Sequence, residues 1–225
     1  MSKLCVRGVI FDMDGTLADS VEYFYHVSLE VLEIAGIPLP SRDRVYELMR
    51  TGQDNPLAKL FPPDHPDPEA TLKRIVDTRM DMWMDHYHHK TEAIPGSLDL
   101  LKSLHAQGLR LGIATSSGRT LPFLDRWGVR HLFSSIIGRE DVTNRKPHPE
   151  PILKCLERLA LQPHEAVYIG DSPIDVQASR AAGSHTVGVL TGTSTREIMT
   201  DHAPDYILDS VAELPNILAP ASAPA

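Results

Sequence analysis

Cysteine is scarce in this chain: Cys5 and Cys155 are the only two in 225 residues. They allow at most one bridge, show no metal-type spacing, and read as two reduced thiols of an intracellular protein. No apolar run approaches the roughly 20 residues that a membrane helix needs. The short apolar opening is broken by Arg7 and then by acids, so it does not read as a signal peptide. A cytoplasmic protein with no membrane partner is expected. Basic charge is also in deficit, with 22 Lys and Arg against 30 Asp and Glu and a net charge of −8. That balance argues against nucleic acid as a partner, while a local cationic pocket for a small anion stays open. No internal repeat is visible.

What is present is ample apolar material, 42% of the chain, enough for one large domain or two smaller ones. Residues 4–11 read as a buried strand ending at a turn. From Ser20 the period changes: Val21, Phe24, Ser28, Val31 and Ala35 recur at helical spacing, and Gly36 closes the helix. "SRDRVYELMR" opens on a Ser cap, and "NPLAKLF" places Asn55 before Pro56 at a first turn. After a proline-dense loop, a further helix carries Leu72, Ile75, Val76, Arg79, Met80, Trp83 and Tyr87 along one side. Residues 20–92 are therefore expected to be all-helical.

Beyond Pro95-Gly96, short buried strands ("LRLGIATSS", "SSIIGRED", "EAVYIGDS", "SHTVGVLTG") alternate with helices, among them "VAELPNIL" near the end. This grammar predicts an α/β fold, a doubly wound parallel sheet covered on both faces. The expected core comprises residues 1–18 and 94–220, with a helical insert over 19–93 and a Pro/Ala-rich tail over 221–225. In such sheets, ligands bind at the carboxyl ends of the strands.

Those ends carry chemistry. The first strand stops at Asp12, with Asp14 two positions on; another ends in Thr115, Ser116 and Ser117, and another in Gly170, Asp171 and Ser172, with Asp175 a turn later. Lys146 stands in "NRKPHPEP" before a helix. Adjacent carboxylates repel, so a fold keeps them only with a cation, a proton or a shared task. Acids at this density suit a hard divalent cation, Mg²⁺ above others. Hydroxyls, backbone N–H groups and a lysine supply donors to a phosphoryl group. One carboxylate would then attack phosphorus while the other handles protons.

"DMDGTLADS", "IATSSG", "RKPHPE" and "GDSPIDVQASRAAG", in that order, resemble the four motifs of the haloacid-dehalogenase-like hydrolase superfamily. The nearest resemblance is to its helical-cap phosphatase branch, which includes phosphoglycolate phosphatases. The resemblance implies that Asp12 is the nucleophile and a Mg²⁺ ligand. Asp14 would be the general acid/base, with its backbone carbonyl on the metal. Thr115, the Ser116 backbone and Lys146 would hold the phosphoryl group, Asp171 would ligate the metal, and Asp175 would support it directly or through water. Gly15 and Thr16 would shape the turn. Asp14 sets the chain apart from dehalogenases and phosphonate-cleaving relatives, and Gly170 from mutases that carry a Glu-Asp pair there.

A phosphatase for a small phosphorylated metabolite is thus expected, phosphoglycolate first, as a monomer or homodimer. Pyrophosphatase, sugar-phosphate or nucleotide phosphatase activity would use the same core, and a phosphomutase or a non-catalytic member is less favoured. A phospho-receiver module is disfavoured by length, acid order and the insert. In "LMRTGQDN", Arg50, Thr51 and Gln53 are candidate contacts to the leaving group. Ser117 and Ser172 read as local caps. "DHYHHK" reads as a solvated helix end rather than a metal site, and Met80, Trp83 and Met84 as core of the insert.

Overall fold

The structure, a computed structural model, is described for residues 3–52, 56–118 and 121–219. Its centre is a six-stranded, all-parallel sheet in the order β3-β2-β1-β4-β5-β6. The strands are β1 (Gly8–Phe11), β2 (Arg110–Ala114), β3 (Phe133–Ile137), β4 (Ala166–Gly170), β5 (His185–Val189) and β6 (Tyr206–Leu208). The first runs out from Leu4 as the sequence predicts but is shorter; Leu4 makes only an isolated bridge to Leu218.

Strands β1, β2 and β4 read as unbroken apolar runs because both faces of the sheet are covered. Successive side chains point to opposite faces. Val9 and Phe11 enter one apolar cluster with Leu101, Ile113 and Ile169, while Ile10 enters a second with Tyr168 and the helix residues Ile152, Cys155 and Leu156. The covering helices are α4 (Ser97–Ala106), α5 (Leu121–Arg126), α6 (Glu150–Leu159), α7 (Pro173–Ala182) and α8 (Arg196–Asp201). The strand order reverses between β1 and β4, the crevice where doubly wound sheets bind ligands.

Three helices lie between β1 and α4: α1 (Val21–Ile34), α2 (Arg42–Met49) and α3 (Pro68–Lys90). Ser41 caps α2 by accepting from the Arg44 N–H, and Asp67 does the same for α3 from Ala70. This insert has its own apolar cluster, built on Leu32, Phe61, Leu72, Ile75 and Trp83. Its two connections to the sheet run side by side, Asp19 N–H donating to Glu92 and Ile94 N–H to Leu17.

Some local expectations are corrected. Pro56–Leu60 and Val211–Asn216 are 3-10 turns rather than α-helices, the second with Pro215 inside it, which removes a backbone donor. Of Met80, Trp83 and Met84 on α3, only Trp83 is buried as core; Met80 is over a third exposed and Met84 half-buried. Asn55, Gln53 and the 221–225 tail lie outside the described residues. No described helix is long and apolar enough to cross a membrane.

Candidate active site

Each of the central strands ends on a functional side chain. Asp12 follows β1, Thr115 follows β2 and Asp171 follows β4, so parallel pairing delivers all three to one edge. The Asp12 N–H donates to the Ile169 carbonyl at 2.8 Å, tying the β1 exit to β4. Asp12, Thr115, Lys146, Asp171 and Asp175 are all buried. Asp12, Thr115, Lys146 and Asp171 line a small cavity of about 140 Å³ together with Asp14, Ser116, Ser117 and Thr193.

Lys146 sits between two carboxylates, its Nζ 2.9 Å from Asp12 Oδ1 and 2.6 Å from Asp175 Oδ1. Burial alone would push the ammonium's pKa down, but the two acids outweigh it and hold it above the usual lysine range. The Tyr168 hydroxyl joins the same group, donating to the Ala114 carbonyl at 2.9 Å and lying 3.0 Å from both Lys146 and Asp175. Asp175 Oδ2 meanwhile accepts from the Ser172 N–H and hydroxyl at 3.1 and 2.5 Å. Both oxygens of Asp175 are therefore engaged within the protein, and Ser172 caps α7, as its sequence position predicts.

Asp12 is the opposite case. Its Oδ1 is buried, and the Lys146 ammonium 2.9 Å away is its neighbour, with no other donor beside it among the described residues. Burial, partly offset by Lys146 and reinforced by Asp175, raises its pKa to about 6. Burial and the neighbouring Asp175 and Asp12 also raise Asp171 well above the carboxylate range. One oxygen from each of Asp12, Asp171 and Asp175 falls within 4.8 Å of the others. Three buried acids with one lysine among them and oxygen-only donors fit a hard divalent cation such as Mg²⁺. A Cβ on Gly192 would lie 1.8 Å from Asp171 Oδ2, so only glycine lets that loop back the carboxylate. The adjacent Thr193 N–H donates to the same oxygen at 3.0 Å.

Asp14 stands apart from that acid group. Its Oδ1 accepts from Ser20 at 2.6 Å and from Tyr87, and its Oδ2 accepts from Ser117. Ser117, read from sequence as a local cap, therefore reaches across to the second acid. Tyr87 comes from the last turn of α3, so the insert touches the reacting edge directly. Burial and the Asp14 charge push the Tyr87 phenol well above its usual pKa, so it stays a donor. Sequence reasoning placed Tyr87 on an apolar face and missed its hydroxyl. Tyr168 carried a fainter signal, because a phenol inside a fully buried strand has to find a partner.

The turn after α2 only partly matches expectation. Arg50 donates to the Thr193 carbonyl, and Thr51 donates to the Leu48 carbonyl at 2.8 Å. Neither lines the 140 Å³ cavity; Val21, Phe24 and Met49 are the side chains that the insert contributes there. Gln53 lies outside the described residues. In "DHYHHK", His86 stacks on Tyr23 and His89 lies 3.3 Å from exposed Asp85, and neither belongs to a metal-type cluster among the described residues.

A doubly wound sheet thus gathers paired aspartates after its first strand, a hydroxyl after its second and acids after its fourth, with Lys146 bridging Asp12 to Asp175. The model of the family described as "Haloacid dehalogenase-like hydrolase" matches residues 9–189, and the chain belongs to that family. Among curated relatives, phosphoglycolate phosphatase of Salmonella typhi is 32% identical over 95% of this chain and 93% of its own length. The Escherichia coli K12 protein of the same name is 31% identical, covering 93% and 91%. Among solved structures, a haloacid dehalogenase-like hydrolase from Bacteroides fragilis superposes with a TM-score of 0.81 at 31% identity, covering 93% of this chain and 99% of that one.

Proposed function

We propose that the protein is a Mg²⁺-dependent phosphatase that hydrolyses a small phosphomonoester through an aspartyl phosphate. The observation that carries this reading is Asp12: a buried carboxylate at a strand end, paired with Lys146 and lining a cavity with donors suited to a phosphoryl group.

Asp12, Asp171 and the Asp14 backbone carbonyl would hold Mg²⁺, with Asp175 supporting the group through Lys146. When bound, the ion supplies positive charge against the repulsion between an anionic nucleophile and an anionic ester. Lys146, the Thr115 hydroxyl and the Ser116 backbone orient the phosphoryl oxygens. An Asp12 oxygen attacks phosphorus, the bond from phosphorus to the leaving oxygen breaks, and Asp14 gives that oxygen its proton. Asp14 then takes a proton from water as the water oxygen attacks phosphorus. The Asp12–phosphorus bond breaks, inorganic phosphate leaves, and both acids return to their starting states. Ser20, Ser117 and Tyr87 donate to ionised Asp14, and because hydroxyls can also accept, one can turn when Asp14 is protonated.

The insert over 19–93 acts as a cap, bringing Phe24, Met49 and Tyr87 to the site and excluding water during the first transfer. Relatives named for phosphoglycolate make it the first substrate to try. The proposed setting is the cytoplasm, where the buried Cys155 thiol, its pKa pushed up to about 12 by burial, stays protonated.

Release of p-nitrophenol from p-nitrophenyl phosphate should depend on Mg²⁺ and stop with EDTA. Asp12→Asn should remove turnover while its circular dichroism stays that of the wild type. Hydrolysis that survives either change would sink the mechanism.

A further inference from the structure

Beside the catalytic cavity, the insert forms a second and larger pocket of about 460 Å³, partly open to solvent. Its volume falls in the range of roughly 300–1,000 Å³ typical of small-molecule sites. The catalytic cavity lies below that range. Phe24 and Met49 line both spaces, so they form the partition between them.

The lining is apolar throughout, including Val27, Leu57, Leu72, Val76, Met80 and Trp83, and carries no charged side chain. Its few polar atoms are already engaged. The Tyr23 hydroxyl donates to the Trp83 carbonyl at 2.5 Å, the Trp83 indole N–H to Glu30 at 2.9 Å, and the Ser28 hydroxyl to the Phe24 carbonyl at 2.8 Å. A space lined this way offers water no partners and suits hydrocarbon. It offers nothing to a carboxylate such as that of glycolate. The unbranched Met49 side chain at the partition can swing aside at small cost.

We infer that this chamber receives the apolar body of a leaving alcohol while its phosphoryl group sits at Asp12, which gives the enzyme a second substrate class of alkyl or aryl phosphomonoesters. The inference rests on the phosphatase reading for its turnover but not for its binding. Each methylene moved from water into the chamber should raise kcat/KM about two- to fourfold.

The experiment is a series from methyl through butyl to hexyl phosphate on the wild-type, Mg²⁺-loaded enzyme. A steady climb with chain length supports the chamber. Val76→Phe, or Leu57→Phe should the first variant not fold, should lower the hexyl-to-methyl ratio at least tenfold. A flat series with methyl phosphate hydrolysed overturns the chamber and leaves the phosphatase standing. An unchanged ratio in a folded variant overturns the assignment of the apolar site to this space. Should no ester be hydrolysed, the phosphatase reading falls, and calorimetry of hexylphosphonate against methylphosphonate decides the chamber: tighter hexyl binding supports it, and equal binding overturns it.

Discussion

A hydroxyl group from the far end of the insert reaches the proposed proton carrier. Tyr87 donates to Asp14 across a separation of 73 residues, and its ring packs edge-on against Phe123 with centroids 4.5 Å apart. The ring contributes packing and the oxygen contributes charge stabilisation, so Tyr87→Phe separates the two. A hydrogen bond to a charged group is worth about 1.5–3 kcal/mol. The variant should therefore lose about 10- to 100-fold in kcat, with KM within about twofold of wild type, and it should still fold. Unchanged steady-state kinetics would show that the hydroxyl only fills space. Nothing local announces this role, because the residue also satisfies the apolar period of its helix.

The loop before α6 and the helix itself work as one unit that places Lys146. Glu150, in the first turn of α6, accepts from the Thr143 N–H at 3.0 Å and the Asn144 N–H at 2.9 Å, and pairs with Lys154 at 2.9 Å. These bonds, that to Thr143 first, lower its pKa from 4.5 to about 2. A carboxylate with a depressed folded pKa stabilises the fold above its unfolded value and loses that contribution as pH falls through the folded one. Its share is thus complete above pH 4.5 and disappears toward pH 2. In Glu150→Gln, the difference between urea midpoints at pH 6 and pH 3 should shrink. Turnover should fall about fivefold as the Lys146 loop loosens, the scale of one lost hydrogen bond. The same unit was readable in part: the Lys-Pro context and the prolines marked a helix start, while the backbone anchoring by Glu150 needed the folded loop. The short α8 and the 3-10 geometry of Val211–Asn216 were not read, because six-residue segments carry too little periodicity to separate one helix type from another.

Considered as one body, the protein gathers negative charge that its own side chains only partly offset. Asp12, Asp171 and Asp175 converge around one lysine, so a bound divalent cation should stabilise the native state alone. Mg²⁺ at about 100 times its dissociation constant adds about 2.7 kcal/mol, a rise in Tm of roughly 5–10 °C for a chain of this size. Scanning calorimetry with and without Mg²⁺ checks this. Asp171→Asn should abolish most of the rise, and an equal rise in that variant would place the ion elsewhere.

From the amino-acid order alone came the parallel sheet, the helical insert and the core residues Asp12, Asp14, Thr115, Lys146 and Asp171. Asp12, Thr115 and Asp171 were legible because each stands where an apolar run ends, Asp14 by following Asp12 closely and Lys146 by its Lys-Pro context, and parallel strands bring their carboxyl ends to one edge whatever lies between them. Folding in three dimensions decided that Asp14 faces Ser20, Ser117 and Tyr87, that Asp175 is held by Tyr168 and Ser172, that Met49 rather than Arg50 lines the catalytic cavity, and that an apolar chamber opens beside it. Those outcomes depend on how helices from distant stretches pack on the sheet, and side-chain contacts across such separations leave no periodic trace in the chain.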